Sequence, residues 1–195
     1  MNVSLAFWVK FIAGRFQPQP GRTECTLCPG GHYEEETGQS TDCSTCAAGQ
    51  FLNATGSNTS TACKVCEKGT ITALPGEGTC ADCVAGKKQP TSNQSACLQC
   101  ESGQFSAPKA SNCTACSPGR HSVGSTECAD CDPGRFQNDG DTSECISCIA
   151  GKFTSTPKQT ACTPCVSGKY ANNNGSSACN ISTCGGSEFV GDATA

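Results

Sequence analysis

Ten pairs of cysteines punctuate this chain, nine of them spaced Cys-x-x-Cys, and no other feature limits its folding as tightly. The nine are Cys25/Cys28, Cys43/Cys46, Cys63/Cys66, Cys80/Cys83, Cys97/Cys100, Cys113/Cys116, Cys128/Cys131, Cys145/Cys148 and Cys162/Cys165. The tenth, Cys179/Cys184, is wider. Pairs begin 15 to 20 residues apart, most often 17. A short fixed period means one small unit copied in tandem. Copied units make a surface or a spacer, whereas a single active site needs no copying.

Composition says what must hold such units together. Cysteine accounts for 20 of 195 residues, the mark of a disulfide or metal scaffold. Only 35% of residues are hydrophobic even with the cysteines counted, and eight Phe, two Tyr and one Trp are spread at repeat spacing. A globular chain of this length buries roughly two-thirds of its surface, and these side chains are too few for that. Crosslinks must replace the core. The net charge is −4, with Glu34 to Glu36 as the longest acidic cluster. No basic stripe interleaved with aromatics points to nucleic acid. No 18-residue apolar stretch offers a membrane span.

Alignment on the pairs reveals the rest of the unit. Three residues after the second cysteine stands Gly31, Gly49, Gly69, Gly86, Gly103, Gly119, Gly134, Gly151 or Gly168, and only the last pair departs, with Ser187. Two residues on, an aromatic is usual: Tyr33, Phe51, Phe105, Phe136, Phe153, Tyr170 and Phe189, with Ile71, Lys88 and His121 in the other slots. Ser or Thr falls two residues before most following pairs, as at Thr41, Thr61, Ser95 and Thr160. The glycine permits a positive φ just after a cysteine. The aromatic is expected to lie across the nearby crosslink as the unit's only sizeable apolar contact. Asn53 to Thr61 and Asn172 to Ser177 read as exposed turns. The fold class expected is a small disulfide-rich repeat in an elongated tandem array: mostly loop, very short β-strands, no sizeable hydrophobic core.

The spacing leaves three readings of the cysteines. Disulfides from the second cysteine of one pair to the first of the next would close loops of about 15 residues, each worth roughly 3 kcal/mol in the chain-entropy model. Cys₄ zinc sites fit the same spacing, against the lack of basic residues around the thiolates. Thiol–disulfide chemistry is the third use of Cys-x-x-Cys. It needs a helix start or a cation to lower a thiol pKa, and neither is visible.

Other residues offer little chemistry. His32 and His121 sit in or beside the aromatic slot and read as packing. No Ser-His-Asp set or carboxylate pair can be assembled, so no enzyme and no cofactor are expected. Arg15, Lys87, Arg120, Arg135, Lys152 and Lys169 each follow a repeat glycine and read as a solvated row. Sequons occur at Asn2, Asn53, Asn58, Asn93, Asn112, Asn174 and Asn180. Of these, Asn53, Asn58, Asn93, Asn174 and Asn180 are the candidate N-glycosylation sites.

The repeated Cys-x-x-Cys-x-x-Gly-x-Phe/Tyr pattern resembles the ephrin type A/B receptor-like cysteine-rich repeats, within the wider growth-factor-receptor cysteine-rich group. Its Cys-x-x-Gly-x-Tyr/Phe half is also similar to the first module of tumour necrosis factor receptor repeats. The resemblance runs from about residue 11 to residue 189. It implies a disulfide-linked extracellular array, secreted or in the ectodomain of a membrane protein, whose partner is an unknown protein or glycan at the cell surface. It also favours the neighbour-to-neighbour pairing: Cys28–Cys43, Cys46–Cys63, Cys66–Cys80, Cys83–Cys97, Cys100–Cys113, Cys116–Cys128, Cys131–Cys145, Cys148–Cys162 and Cys165–Cys179. That pairing leaves Cys25 and Cys184 over, as truncation would. Kinase and ephrin-binding functions do not carry over, since neither motif is present.

The domain organisation expected is a non-repeat segment 1–10, a truncated repeat 11–24, nine tandem repeats over 25–178, and an incomplete repeat 179–195. Phe11 and Trp8 stand where a cysteine pair belongs. The apolar stretch 1–13, interrupted by Lys10, is a weak signal peptide, and a piece of a longer array is the simpler expectation. The function expected is a non-enzymatic spacer or adhesion module. The alternative is an intracellular Cys₄ zinc array mediating protein contacts.

Overall fold

A computed structural model describes residues 12–18, 24–37, 42–139 and 142–181. Cys184 therefore lies outside the described residues, as do Asn2, Trp8, Phe11, Thr41, Ser187 and Phe189. Among the described residues the chain forms twenty short strands in ten antiparallel pairs, one 3₁₀ turn at Ser60–Ala62, and no α-helix. Eighteen strands have two residues; Arg120–Val123 and Glu127–Asp130 have four. The protein is thus a set of small disulfide-rich repeats, mostly loop with very short strands. It divides into two compact units, one built chiefly from residues 1–114 and the other from residues 115–195.

Each repeat is a miniature hairpin. The two residues after the repeat glycine pair with the two residues inside the next Cys-x-x-Cys. His32 and Tyr33 face Thr45 and Ser44, and Arg135 and Phe136 face Ser147 and Ile146. This register follows from the crosslink, which ties the start of the loop to the residue just before the returning strand. The Cys28–Cys43 bridge holds its Cα atoms 5.8 Å apart, within the ordinary disulfide span.

Sequence reading puts the weight of the core on the aromatic slot, and the structure moves it. Phe51, Phe105, Phe136 and Phe153 are only half-buried and Tyr170 is 37% exposed. The buried positions are the second cysteines up to Cys148, with Cys28, Cys66, Cys83, Cys131 and Cys148 at 0% and Cys165 half-buried, and the residue after the aromatic. That residue is Gln17, Glu34, Leu52, Thr72, Gln89, Ser106, Ser122, Gln137, Thr154 or Ala171, and all ten are below 9% exposed. The core of each unit is sulfur and mostly polar side chains. Every polar member must therefore find a hydrogen-bond partner, and no buried side-chain polar atom among the described residues lacks one.

Contacts reach past the nearest neighbour. Within the first unit, a Cβ added to Gly31 would stand 1.9 Å from the carbonyl oxygen of Gly76, two loops ahead. Within the second, a Cβ on Gly134 would stand 2.1 Å from that of Gly175, again two loops ahead. Both glycines also hold left-handed backbone, φ +81° and +87°. Gly151 has the same backbone, φ +84°, but no atom within 4 Å of an added Cβ. Gly151→Ala is therefore expected to cost only the left-handed penalty, about 1–2 kcal/mol. Gly134→Ala adds the displaced Gly175 carbonyl and should lower the thermal midpoint clearly further. Paired melts with the bridges intact check this, and equal midpoints for the two variants would remove the second-neighbour contact from the account.

Candidate functional site

The feature that recurs is a node centred on the second cysteine of a pair, complete among the described residues at Cys28, Cys46, Cys66, Cys83, Cys131 and Cys148. The Cys66 sulfur bonds Cys80 and closes its own loop. Its N–H donates to the carbonyl of Gly49 in the preceding loop at 2.8 Å. Its carbonyl accepts from the N–H of Asn93 in the following loop at 2.9 Å. Cys148 repeats the arrangement in the second unit, with Cys162, the Gly134 carbonyl at 2.8 Å and the Gly175 N–H at 2.7 Å. The forward donor sits nine or ten residues past its own cysteine and is left-handed whatever its type: Gly56, Gly76, Asn93, Lys109, Lys158 and Gly175. Its spacing is regular in the sequence, but its changing identity hides it.

The buried polar residue after the aromatic adds a second tie, in one of two ways. When it is short, it reaches the preceding repeat. Thr72 Oγ1 accepts from Gly49 N–H at 2.7 Å and donates to the Gln50 carbonyl at 3.1 Å. Thr154 Oγ1 accepts from Gly134 N–H at 2.7 Å, and Ser122 Oγ accepts from Gly103 N–H at 3.0 Å. When it is glutamine, it braces its own loop. Gln89 Nε2 donates to the Ala96 carbonyl at 2.5 Å and Gln137 Nε2 to the Glu144 carbonyl at 2.9 Å, each acceptor lying just before a bridging cysteine. Glu35 links neighbouring loops from the surface. Hydrogen bonds from the Ser60 side chain and backbone hold its carboxyl below the usual glutamate range.

The nine bridges of the structure are Cys28–Cys43, Cys46–Cys63, Cys66–Cys80, Cys83–Cys97, Cys100–Cys113, Cys116–Cys128, Cys131–Cys145, Cys148–Cys162 and Cys165–Cys179. Cys25 is the free cysteine among the described residues, half-buried, beside the Arg15 guanidinium that donates to its carbonyl at 3.1 Å. A Cys₄ zinc array would need four thiolates per ion, and these bridges tie up the sulfurs it would use.

The remaining candidates are dispersed. Asn53, Asn58, Asn93, Asn112, Asn174 and Asn180 are all exposed. Asn174 also accepts from the Ala150 N–H through its Oδ1 at 3.1 Å. Of the basic residues after the glycines, Arg120 pairs with Asp130 at 2.6 Å. His32 turns Nδ1 to the Gly30 carbonyl at 3.0 Å. His121, in the aromatic slot, instead faces the sulfur of Cys145 at 3.1 Å.

Residues 121–161 match a family model described as tyrosine-protein kinase ephrin type A/B receptor-like. The same bridge, glycine turn and strand pairing recur before and after that stretch, as at Cys46–Cys63 and Cys165–Cys179. Residues 121–161 are therefore similar to a cysteine-rich repeat of this receptor-like kind, and the same pattern continues on both sides of them. No curated protein matches the chain.

The polar core makes a direct prediction. Thr72→Val keeps shape but removes one acceptor and one donor from a 2%-exposed site, at an expected cost of about 1–2 kcal/mol. Amide hydrogen exchange at Gly49, whose N–H keeps its bond to the Thr72 carbonyl at 3.0 Å, should speed modestly. Unchanged protection at Gly49 would mean that the hydroxyl contributes nothing.

Proposed function

We propose that this chain is a non-enzymatic extracellular spacer or adhesion segment within a larger cell-surface or secreted protein. The observation that carries this reading is the repetition of one backbone-and-sulfur node along the described residues. The matched repeat family is a receptor cysteine-rich module and not a catalytic domain. Nine disulfides suit an oxidising compartment, outside the cytosol. The exposed sequons favour the same compartment. No described helix is long and apolar enough to cross a membrane, so any anchoring would come from elsewhere. Ligands would be proteins or glycans meeting the loops laterally, because each loop tip carries different polar residues on the same frame.

Spacing has a dimensional signature. A compact chain of this length has a radius of gyration of about 16 Å. Small-angle scattering should give a clearly larger value. Removing residues 131–147, one full period that takes Cys131 and Cys145 together, should shorten the maximum dimension by a fixed increment and leave the other bridges intact. A radius near the compact value, unchanged by the deletion, would sink the spacer reading.

A further inference from the structure

We propose that the Cys131–Cys145 bridge is a thiol-opened binding site for a soft divalent metal of the zinc type, with His121 as its third ligand. Seven of the glycine-anchored slots, Phe16 after Gly14 included, hold Phe or Tyr where this one holds His121. His121 Nδ1 lies 3.1 Å from Cys145 Sγ, and the imidazole and both sulfurs lie within 4.8 Å of one another. A disulfide sulfur has no proton to give, so this hydrogen bond puts the proton on Nδ1 and makes sulfur the acceptor.

The two sulfurs differ in access. Cys131 is fully buried. Cys145 is half-buried and lines a cavity of 370 Å³ with His121, Asp132, Arg135, Ser143 and Glu144. An external thiolate therefore meets Cys145 first, while the imidazole N–H draws electron density from the attacked sulfur. The new bond makes a mixed disulfide at Cys145, and the old S–S bond breaks with its electron pair leaving on Cys131. A second external thiolate attacks the outer sulfur of the mixed disulfide and frees Cys145 as thiolate. The net change is one bridge reduced by two electrons and two external thiols oxidised to a disulfide.

Opening assembles a metal's donor set in one place. Two thiolates balance a divalent charge, and thiolate with imidazole is the set that suits zinc. Tetrahedral zinc with bonds of about 2.3 Å holds two sulfurs about 3.8 Å apart. The cysteine Cα atoms, 5.7 Å apart, allow that separation by side-chain rotation alone. Binding displaces the Nδ1 proton, which Nε2 can carry instead. The fourth position falls to a water or to a cavity carboxylate, Asp132 or Glu144. The adjoining loops keep their own bridges, Cys116–Cys128 and Cys148–Cys162, which limit how far opening spreads.

The test uses the whole chain and cobalt(II) as the metal. A phosphine reductant is titrated in without oxygen; each phosphine takes two electrons from a bridge and becomes the oxide with oxygen from water. The expected result is a single cobalt per chain with thiolate-to-cobalt charge-transfer absorption. Peptide mapping after alkylation should find Cys131 and Cys145 reduced yet shielded until a chelator is added. His121→Phe restores the residue type of other slots, and should keep the bridges while weakening cobalt by more than about tenfold, the loss that even an outer-shell partner brings. The proposal is overturned if the opened bridge takes no cobalt, if the shielded cysteines lie elsewhere, or if His121→Phe binds equally. It is also overturned if this bridge opens only after the others. Shielding on the unaltered chain decides the matter even where the variant fails to fold.

Discussion

The fold depends on the second cysteine of a pair acting in three directions at once, as six of them do among the described residues. Its sulfur closes one loop, its N–H holds the loop behind, and its carbonyl holds the loop ahead, as at Cys66 and Cys148. A bridge that only closed its own loop would leave a string of independent rings. A backbone ladder without bridges would have to order each loop with almost no apolar burial to offset the entropy. Joining the two at one buried residue makes local crosslinking propagate along the chain. The neighbouring polar side chains, Thr72 and Thr154 among them, then satisfy the backbone groups the turn exposes.

Much of this was legible in the sequence because it is written in residue types that have few substitutes. Glycine three residues past the cysteine marks a left-handed turn, and very short strands were expected, whereas the strand inside each following Cys-x-x-Cys emerges only from the structure. Two features were illegible for a physical reason. The position after the aromatic is buried in every repeat, yet it reads Gln, Glu, Leu, Thr, Ser or Ala, because a core closed by sulfur and backbone asks for a hydrogen bond more than for bulk. The forward donor is Gly, Asn or Lys, because its N–H and not its side chain makes the contact. The aromatic drew attention as the conspicuous apolar residue and is only half-buried. Nothing in the sequence marks the approach of Gly31 to Gly76, a contact visible only as missing space.

The same logic explains how the array can carry function without a conventional site. Structural demands fall on cysteine, glycine and backbone, leaving the loop tips free to vary, and the described sequon asparagines are all on the exposed side. His121 shows the converse. An aromatic slot that faces a crosslink becomes chemically active once an imidazole fills it, with no change in the frame around it.

The pairing of each second cysteine with the first of the following pair is the central claim, and linked-peptide mass spectrometry of the unreduced, thiol-blocked protein tests it most directly. Proteolysis should release Cys46 linked to Cys63, Cys83 to Cys97 and Cys148 to Cys162, with Cys25 carrying the blocking group. Links inside a Cys-x-x-Cys, such as Cys43 to Cys46, or links that skip a pair, would contradict the node and the fold built on it.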